Sequence, residues 1–118
     1  MKAVIEVGRR GSVFSTAAAQ VSGARKGRPP DFHLSFESAR ALFSELTPAR
    51  LDLLDTLRRV GPCSVYALAK AAERNYSNVH TDVSRMEELG LIERSQAGEV
   101  LVPYETVEIV VPLARSAA

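Results

Sequence analysis

The chain has 118 residues, 46% of them hydrophobic and 25% charged, which is typical of a soluble globular protein with one modest core. No apolar run approaches the roughly 20 residues that a membrane helix needs. The single cysteine, Cys63, excludes an internal disulfide and a cysteine-cluster metal site. The N-terminus is too short and too charged for a secretory signal, so we expect a cytoplasmic protein.

Residues 1–33 are predicted to form an N-terminal extension. The run from Lys2 to Val7 (KAVIEV) is rich in β-branched residues and predicts a strand. Residues 12–22 predict an alanine-rich helix, and residues 23–30 (GARKGRPP) predict a loop, because glycine and proline interrupt regular structure. This basic loop has two open interpretations, a solvated loop or a contact to nucleic-acid phosphates.

A short strand and two helices are predicted next. Residues 32–36 (FHLSF) alternate like a strand, and Ser35 or Ser38 is a suitable cap for a helix through Leu46. Thr47-Pro48 then begins a second helix, since proline is tolerated at the first helical position, and Gly61-Pro62 is predicted to end it. Its apolar stripe has the spacing of a core face and consists of Leu51, Leu54, Leu57 and Val60, with Leu53 on the flank.

The run from Ser64 to Arg94 predicts a helix, a tight turn, a second helix and a strand. Ser64 is suited to cap the first helix, and residues 73–76 interrupt its apolar pattern. Ser77 is predicted to cap a helix over residues 77–89, which Gly90 would end in a left-handed conformation. Two short helices joined by a tight turn are typical of the helix-turn-helix motif, whose second helix enters the DNA major groove.

Two further features follow the second helix. Residues 91–95 and 99–102 flank the turn Gln96-Ala97-Gly98 and predict a β-hairpin. Residues 104–112 alternate and predict another strand, which would pair with the N-terminal strand of this chain or of a partner. The tail, residues 114–118, is predicted to be flexible.

A family resemblance is carried by the run VHTDVSRMEELGLIER (79–94). It resembles the recognition helix and first wing strand of winged helix-turn-helix regulators of the multiple-antibiotic-resistance-regulator (MarR-like) type. Together with LSFES (34–38), LTPARLDLLDTL (46–57), GPCSVYALA (61–69) and VPYETVEI (102–109), it is similar to small prokaryotic DNA-binding proteins, some of them encoded beside a small toxin. The resemblance covers residues 34–113.

The residue patterns and the family resemblance together predict the fold. We expect an α+β, mostly α, winged helix-turn-helix with an added N-terminal strand–helix segment and a C-terminal strand. The expected domains are an extension over residues 1–33 for dimerisation or partner binding, a DNA-binding domain over 34–113 and a flexible tail over 114–118. The hairpin over 91–102 would be the wing.

The candidate DNA contacts follow from the helical period. If Val79, Val83 and Met86 face inward, the opposite face of the second helix points to DNA. Ser, Thr and Asn bond base edges or phosphates, and arginine reaches phosphate or guanine. With the turn, the preceding helix and the wing, which the resemblance also implicates, the candidates are Lys70, Arg74, Asn75, Tyr76, Ser77, Asn78, His80, Thr81, Ser84, Arg85, Arg94 and Gln96.

Each candidate has a structural alternative. Arg85 has possible partners on its own helix in Glu88 and Asp82. Asp82 would repel phosphate, and Tyr76 would suit core packing with its hydroxyl at the surface. His80 lies far along the chain from His33, the other histidine, so we expect no metal site and no cofactor.

Charge argues against strong DNA binding by the helix pair alone. Residues 1–34 hold six basic and two acidic side chains, whereas residues 61–95 hold four basic and five acidic ones. DNA affinity depends largely on phosphate neutralisation. The helix pair would therefore need well-placed cations, the basic N-terminal segment or a second copy of the chain.

Two functions remain at the level of sequence. The first is a sequence-specific, dimeric transcriptional regulator, an (auto)repressor that binds double-stranded DNA with the helix over residues 77–89. The alternative is a protein-interaction module, such as an antitoxin that neutralises a toxin encoded beside it, using an exposed strand edge. We do not expect an enzyme, because the chain has no glycine-rich phosphate loop, no nucleophile elbow and no HExxH motif.

Overall fold

The computed structural model describes residues 1–8 and 31–113. It has two compact units: unit 1 comprises Met1–Glu45 and Thr106–Ala118, and unit 2 comprises Leu46–Glu105. The predicted helix over residues 12–22, the predicted loop over 23–30 and the predicted flexible tail over 114–118 lie outside the described residues.

The described residues form an α+β arrangement of four helices and five strands. The helices are α1 (Ala39–Glu45), α2 (Pro48–Val60), α3 (Val65–Ala72) and α4 (Tyr76–Glu88), and the strands are β1 (Lys2–Val7), β2 (Phe32–Phe36), β3 (Glu93–Arg94), β4 (Val100–Leu101) and β5 (Thr106–Val110). No helix in this part of the chain has the length and apolarity to cross a membrane.

Unit 1 contains a parallel three-stranded sheet in the order β2-β1-β5. Ile5 in the central strand lies opposite Leu34 on one side and Ile109 on the other, and Ile5 is fully buried. The predicted C-terminal strand therefore pairs with the N-terminal strand of its own chain. Because β2 and β5 both pair with β1, the compact units do not follow the predicted boundary between residues 33 and 34.

The opposite face of this sheet carries charged and polar side chains. Side chains two residues apart in a strand point to the same face. On that face Lys2 Nζ lies 3.1 Å from Glu108 Oε1, and His33 Nδ1 lies 3.7 Å from Glu6 Oε1. The hydrogen bond to Glu108 raises the pKa of Lys2. The sheet is thus apolar on one face and charged on the other.

Helix α1 is capped by Ser38, one of the two predicted candidates. Its Oγ accepts a hydrogen bond from the Ala41 N–H at 3.1 Å, whereas Ser35 lies in β2. The helix contacts β1 and β2 and contributes the buried Leu42 to unit 1. Phe43, the next residue of this helix, is half exposed although it is apolar.

Helix α2 begins and ends as predicted. Thr47 Oγ1 accepts from the Arg50 N–H at 3.2 Å, and Gly61 follows the helix with a φ of 85°. The buried residues of the helix are Leu53, Leu54 and Leu57. Two members of the predicted stripe differ: Leu51 is only half-buried, and Val60 is 48% exposed at the last helical position, beyond the core.

The hairpin is shorter than predicted but has the predicted turn. Strands β3 and β4 each have two residues, and Gly98 adopts a φ of 83° between them. Leu91 and Ile92 are buried, and both N–H groups donate to the Met86 carbonyl at the end of α4. They therefore fill the core of unit 2 instead of extending the strand.

Two further contacts attach the hairpin region to the helices of unit 2. The backbone of Cys63 exchanges hydrogen bonds with Val100 at 2.8 and 3.2 Å, and Tyr104 Oη donates to the Gly90 carbonyl at 2.8 Å. Burial raises the pKa of the Cys63 thiol, with a smaller contribution from Glu99, so the thiol is less ionised than an ordinary cysteine.

Candidate nucleic-acid interface

Helices α3 and α4 contact each other and are joined by a three-residue turn. Ser64 Oγ caps α3 by accepting from the Ala67 N–H at 3.0 Å, as predicted. Glu73 ends α3 in a left-handed conformation, with a φ of 54°, which is uncommon for a residue other than glycine. The turn ends at Asn75, and α4 begins at Tyr76.

The cap of α4 differs from the prediction. Asn75, not Ser77, has the extended backbone of a capping residue, and its Oδ1 accepts from the Asn78 N–H at 3.2 Å. Ser77 lies inside the first turn. Asparagine and serine are similarly good capping residues, and the sequence pattern alone did not separate them.

Replacing Asn75 with alanine is expected to lower the free energy of unfolding by about 1 kcal/mol, because an N–H of the first turn of α4 loses its acceptor. Ser77→Ala is the matched control and should change stability by less than about 0.5 kcal/mol. Urea denaturation of both variants makes the comparison. A larger loss for Ser77→Ala would show that the cap is assigned to the wrong residue.

Helix α4 separates apolar from polar side chains as predicted. Val79, Val83 and Met86 are buried. Nine of the twelve predicted DNA contacts are exposed, namely Lys70, Asn75, Tyr76, Ser77, Asn78, His80, Thr81, Arg94 and Gln96; the other three, Arg74, Ser84 and Arg85, are partly buried. The exposed members on α4 cluster in its N-terminal half.

Arg74 and Asp82 form an ion-pair cluster with Arg50. Asp82 Oδ1 lies 3.0 Å from Arg50 Nε, and Asp82 Oδ2 lies 2.8 Å from Arg74 Nη2. The side chain of Asp82 is only 15% exposed. The carboxylate is thus surrounded by two guanidinium groups, and Arg74 connects the turn to α4 through it.

The other two candidate arginines also pair with acidic side chains. Arg85 Nη1 lies 2.9 Å from Glu88 Oε2, which is one of the two alternatives that the sequence left open. Arg94 donates to both carboxylate oxygens of Glu87, at 2.6 and 3.3 Å, and to the Gly98 carbonyl at 3.3 Å. The hydrogen bond to Glu87 raises the pKa of Arg94, and Tyr76 adds a smaller contribution. Arg94 thereby connects β3 to α4.

Two tyrosines lie exposed beside the start of α4. Tyr66 on α3 and Tyr76 on α4 are 61% and 49% exposed, and their ring centroids lie 6.5 Å apart. The His80 ring lies 5.8 Å from that of Tyr76, and Lys70 Nζ lies 5.5 Å from the centroid of Tyr66. We call Tyr66, Tyr76 and His80 the aromatic strip, beside which Lys70 lies. Tyr76 is therefore not a core residue, which was one of its two interpretations.

Sequence reasoning did not identify Tyr66 as part of this surface. A signal was present, because Tyr66 and Lys70 are four residues apart on α3, and Tyr76 and His80 are four residues apart on α4. Residues at this spacing are neighbours on a helix surface. What the spacing does not predict is that the turn between the helices brings the two pairs together.

The net charge of unit 2 is negative. Residues 46–105 contain seven basic and nine acidic side chains, giving a net charge of −2. Among the described residues, no group of three histidine, cysteine, aspartate or glutamate side chains is placed to hold a metal ion. The groups that this surface presents for binding are therefore the exposed polar side chains of α4 and the aromatic strip.

Comparison with known proteins shows a match to a protein family. Residues 45–109, more than half of the chain, match the protein family HVO_A0114. The matched range contains all of unit 2 and most of β5. No curated protein and no solved structure matches the chain.

Proposed function

We propose that this chain, which belongs to the HVO_A0114 family, is a DNA-binding transcriptional regulator of the winged helix-turn-helix, MarR-like class. In this proposal α4 enters the major groove of double-stranded DNA, and the hairpin of β3 and β4 is the wing on the flanking backbone. The protein would act in the cytoplasm as a dimeric (auto)repressor.

The observation that carries the proposal is the polar exposed face at the start of α4. Ser77, Asn78 and Thr81 are exposed. By the helical period, Ser77 and Thr81 lie opposite the buried Val79 and Val83, and Asn78 lies on the flank. Amide and hydroxyl groups suit base edges and phosphates alike. The N-terminal end of a helix also attracts phosphate through its dipole.

The ion pairs of the arginines bear on which residues would read the DNA in this proposal. Arg74, Arg85 and Arg94 pair with Asp82, Glu88 and Glu87 within unit 2. Exchanging such a pair for a phosphate gains less than adding an uncompensated cation. We therefore assign sequence reading to the exposed Asn78 and Thr81, with Lys70 as the nearby cation.

The proposal includes a second copy of the chain, because unit 2 alone has a net negative charge. Phosphate neutralisation supplies much of the affinity of DNA-binding proteins. A dimer presents two copies of α4 to adjacent half-sites and adds both copies of the basic residues within 1–34. We therefore expect measurable binding at low salt that weakens steeply as salt is added.

Thr81→Ala is expected to weaken binding to the DNA upstream of the protein's own coding sequence by about five- to tenfold, because one base-edge contact is lost. Thr56→Ala on α2 is the matched control. Both hydroxyls donate to the carbonyl four residues earlier, Thr81 to Ser77 at 3.1 Å and Thr56 to Asp52 at 3.0 Å. Fluorescence anisotropy with labelled duplex in a salt series measures the difference.

The control should bind like the wild type, within about twofold, since α2 makes no proposed DNA contact. Equal losses in the two variants would assign the effect to helix stability. Failure of the wild-type protein to bind any duplex at low salt would overturn the proposal.

A protein-interaction function is the second candidate, favoured by the outer strands of the sheet in unit 1. Within the described residues, β2 and β5 each pair with β1 on one side only. A strand edge is a docking site for an extended segment of another chain. An antitoxin of this kind would co-purify with the product of an adjacent gene, and lack of that complex on co-expression would count against it.

A further inference from the structure

The aromatic strip presents flat rings, whereas paired DNA presents only the edges of its bases in the grooves. The ring centroids of Tyr66 and Tyr76 lie 6.5 Å apart between α3 and α4, and those of Tyr76 and His80 lie 5.8 Å apart on α4. Tyr66 and Tyr76 are both about half exposed or more. Aromatic side chains usually bury most of their area. Two exposed tyrosines and a histidine in contact therefore form a surface that suits a ligand with a flat face.

The surroundings of the strip favour a nucleobase over an apolar protein segment. Besides Tyr66 and Tyr76, the large hydrophobic side chain exposed in unit 2 is Val60, at the end of α2. Protein-binding hot spots lie in well-packed pockets that lose their water on binding. Aromatic rings with polar neighbours are instead the arrangement on which successive bases of single-stranded nucleic acid stack.

The charges beside the strip fit a phosphate. Lys70 Nζ lies 5.5 Å from the Tyr66 ring centroid, and Tyr76 is the first residue of α4, where the helix dipole is positive. Glu73 is the acidic neighbour in the turn, and it is exposed. A nucleotide stacked on the rings would bring its phosphate to the lysine and the start of the helix.

We infer that Tyr66, Tyr76 and His80 form a stacking site for an unpaired base of DNA, with Lys70 holding the adjacent phosphate. This inference rests on the proposed function, because it assumes that the protein binds DNA and states which form of DNA this surface would recognise. It adds that the protein prefers DNA containing a bulged or single-stranded base over a fully paired duplex of the same sequence. Stacking on one aromatic side chain is sufficient for a preference of about fivefold or more.

The test uses the full chain and three probes made from its upstream DNA: the duplex, the same duplex with one bulged 2-aminopurine, and the single strand containing 2-aminopurine. Stacking quenches the fluorescence of this base analogue. The wild type should bind the bulged duplex about five- to tenfold more tightly than the paired one, with quenching. Tyr66→Phe and Tyr76→Phe should retain this preference, because the ring remains.

Tyr66→Leu is the decisive variant, since leucine keeps apolar area but has no aromatic face. It should lose the preference for the bulge and most of the quenching, while binding of the paired duplex changes by less than about twofold. Wild-type protein that binds paired and bulged duplex equally, without quenching, would overturn the inference and leave the proposed function intact. Binding of the single strand without any binding of the duplex would overturn the proposed function and support the stacking site.

Retention of the preference in Tyr66→Leu would also overturn the inference, because the contact would then be apolar and not a stacked ring. Circular dichroism of each variant checks that the helices remain. The large exposure of Tyr66 predicts that they do.

Discussion

Leu68→Ala is expected to lower the free energy of unfolding by about 3 kcal/mol, the typical cost of removing a large aliphatic side chain from a packed core. Leu68 is fully buried on α3, the helix that contacts both α2 and α4. Its removal leaves a cavity beneath the candidate interface. Total stabilities of small proteins are about 5–15 kcal/mol, so this one change removes a large fraction. Urea denaturation followed by circular dichroism measures it.

Tyr66→Ala is the matched control for this prediction. It lies on the same helix two positions earlier, and 61% of its side chain is exposed. The expected loss is below about 0.5 kcal/mol, as for most surface substitutions. Similar losses in the two variants would show that the inward and outward faces of α3 are assigned incorrectly, and would also weaken the case for the aromatic strip.

Asp82→Ala is expected to lower the free energy of unfolding by about 2–3 kcal/mol, because two largely buried arginines lose a shared carboxylate. The side chains of Arg50, Arg74 and Asp82 are 17%, 29% and 15% exposed. The Nη1 atom of Arg74 is already buried without a hydrogen-bond partner. Removal of the carboxylate would therefore leave two guanidinium groups poorly compensated.

The matched control is Asp55→Ala on α2. Asp55 Oδ2 lies 3.6 Å from Arg59 Nη1, and the two side chains are 81% and 66% exposed. An exposed pair of this kind contributes less than about 1 kcal/mol and often nothing measurable. Equal effects of the two aspartates on the urea midpoint would show that Asp82 is solvated and that its cluster does not hold α4 in place.

The Asp82 cluster changes how the basic residues of this surface should be interpreted. Counting arginines along the turn and α4 suggests a cationic face, but Arg74 and Arg50 share one carboxylate between α2, the turn and α4. These arginines position the helices, and with one carboxylate between two guanidinium groups the cluster has a net charge of only +1, largely shielded from solvent. The surface that remains consists of amides, hydroxyls, Lys70 and aromatic rings, which suits specific contacts more than strong nonspecific attraction to phosphate.

Local sequence signals predicted the position of most elements. Residues 2–7 and 32–36 form the expected strands, and Thr47 and Gly61 bound α2 as expected. These features depend on contacts between residues a few positions apart, such as a hydroxyl and an N–H three residues later. The buried face of α4 was equally predictable, because a period of 3.6 residues assigns each side chain to a direction.

Features that depend on distant residues were not determined by local pattern. The sequence left open whether β5 would pair with the N-terminal strand of its own chain or of a partner, and only the fold shows the parallel pairing to β1 of the same chain, across more than a hundred residues. The ion pairs of Arg74 and Arg94 were likewise not predicted, since each partner is seven or eight residues away on another element.

The sequence by itself therefore determined the α+β composition, the helix pair and its polar face, because each follows from propensity, capping and periodicity within short segments. The tertiary structure decided which charges are compensated, which strand joins the sheet and that Tyr66, Lys70, Tyr76 and His80 share one surface. The physical reason is that a side chain's chemistry depends on its neighbours in space. Those neighbours are set by the turn at Glu73 and by the packing of α3 on α4.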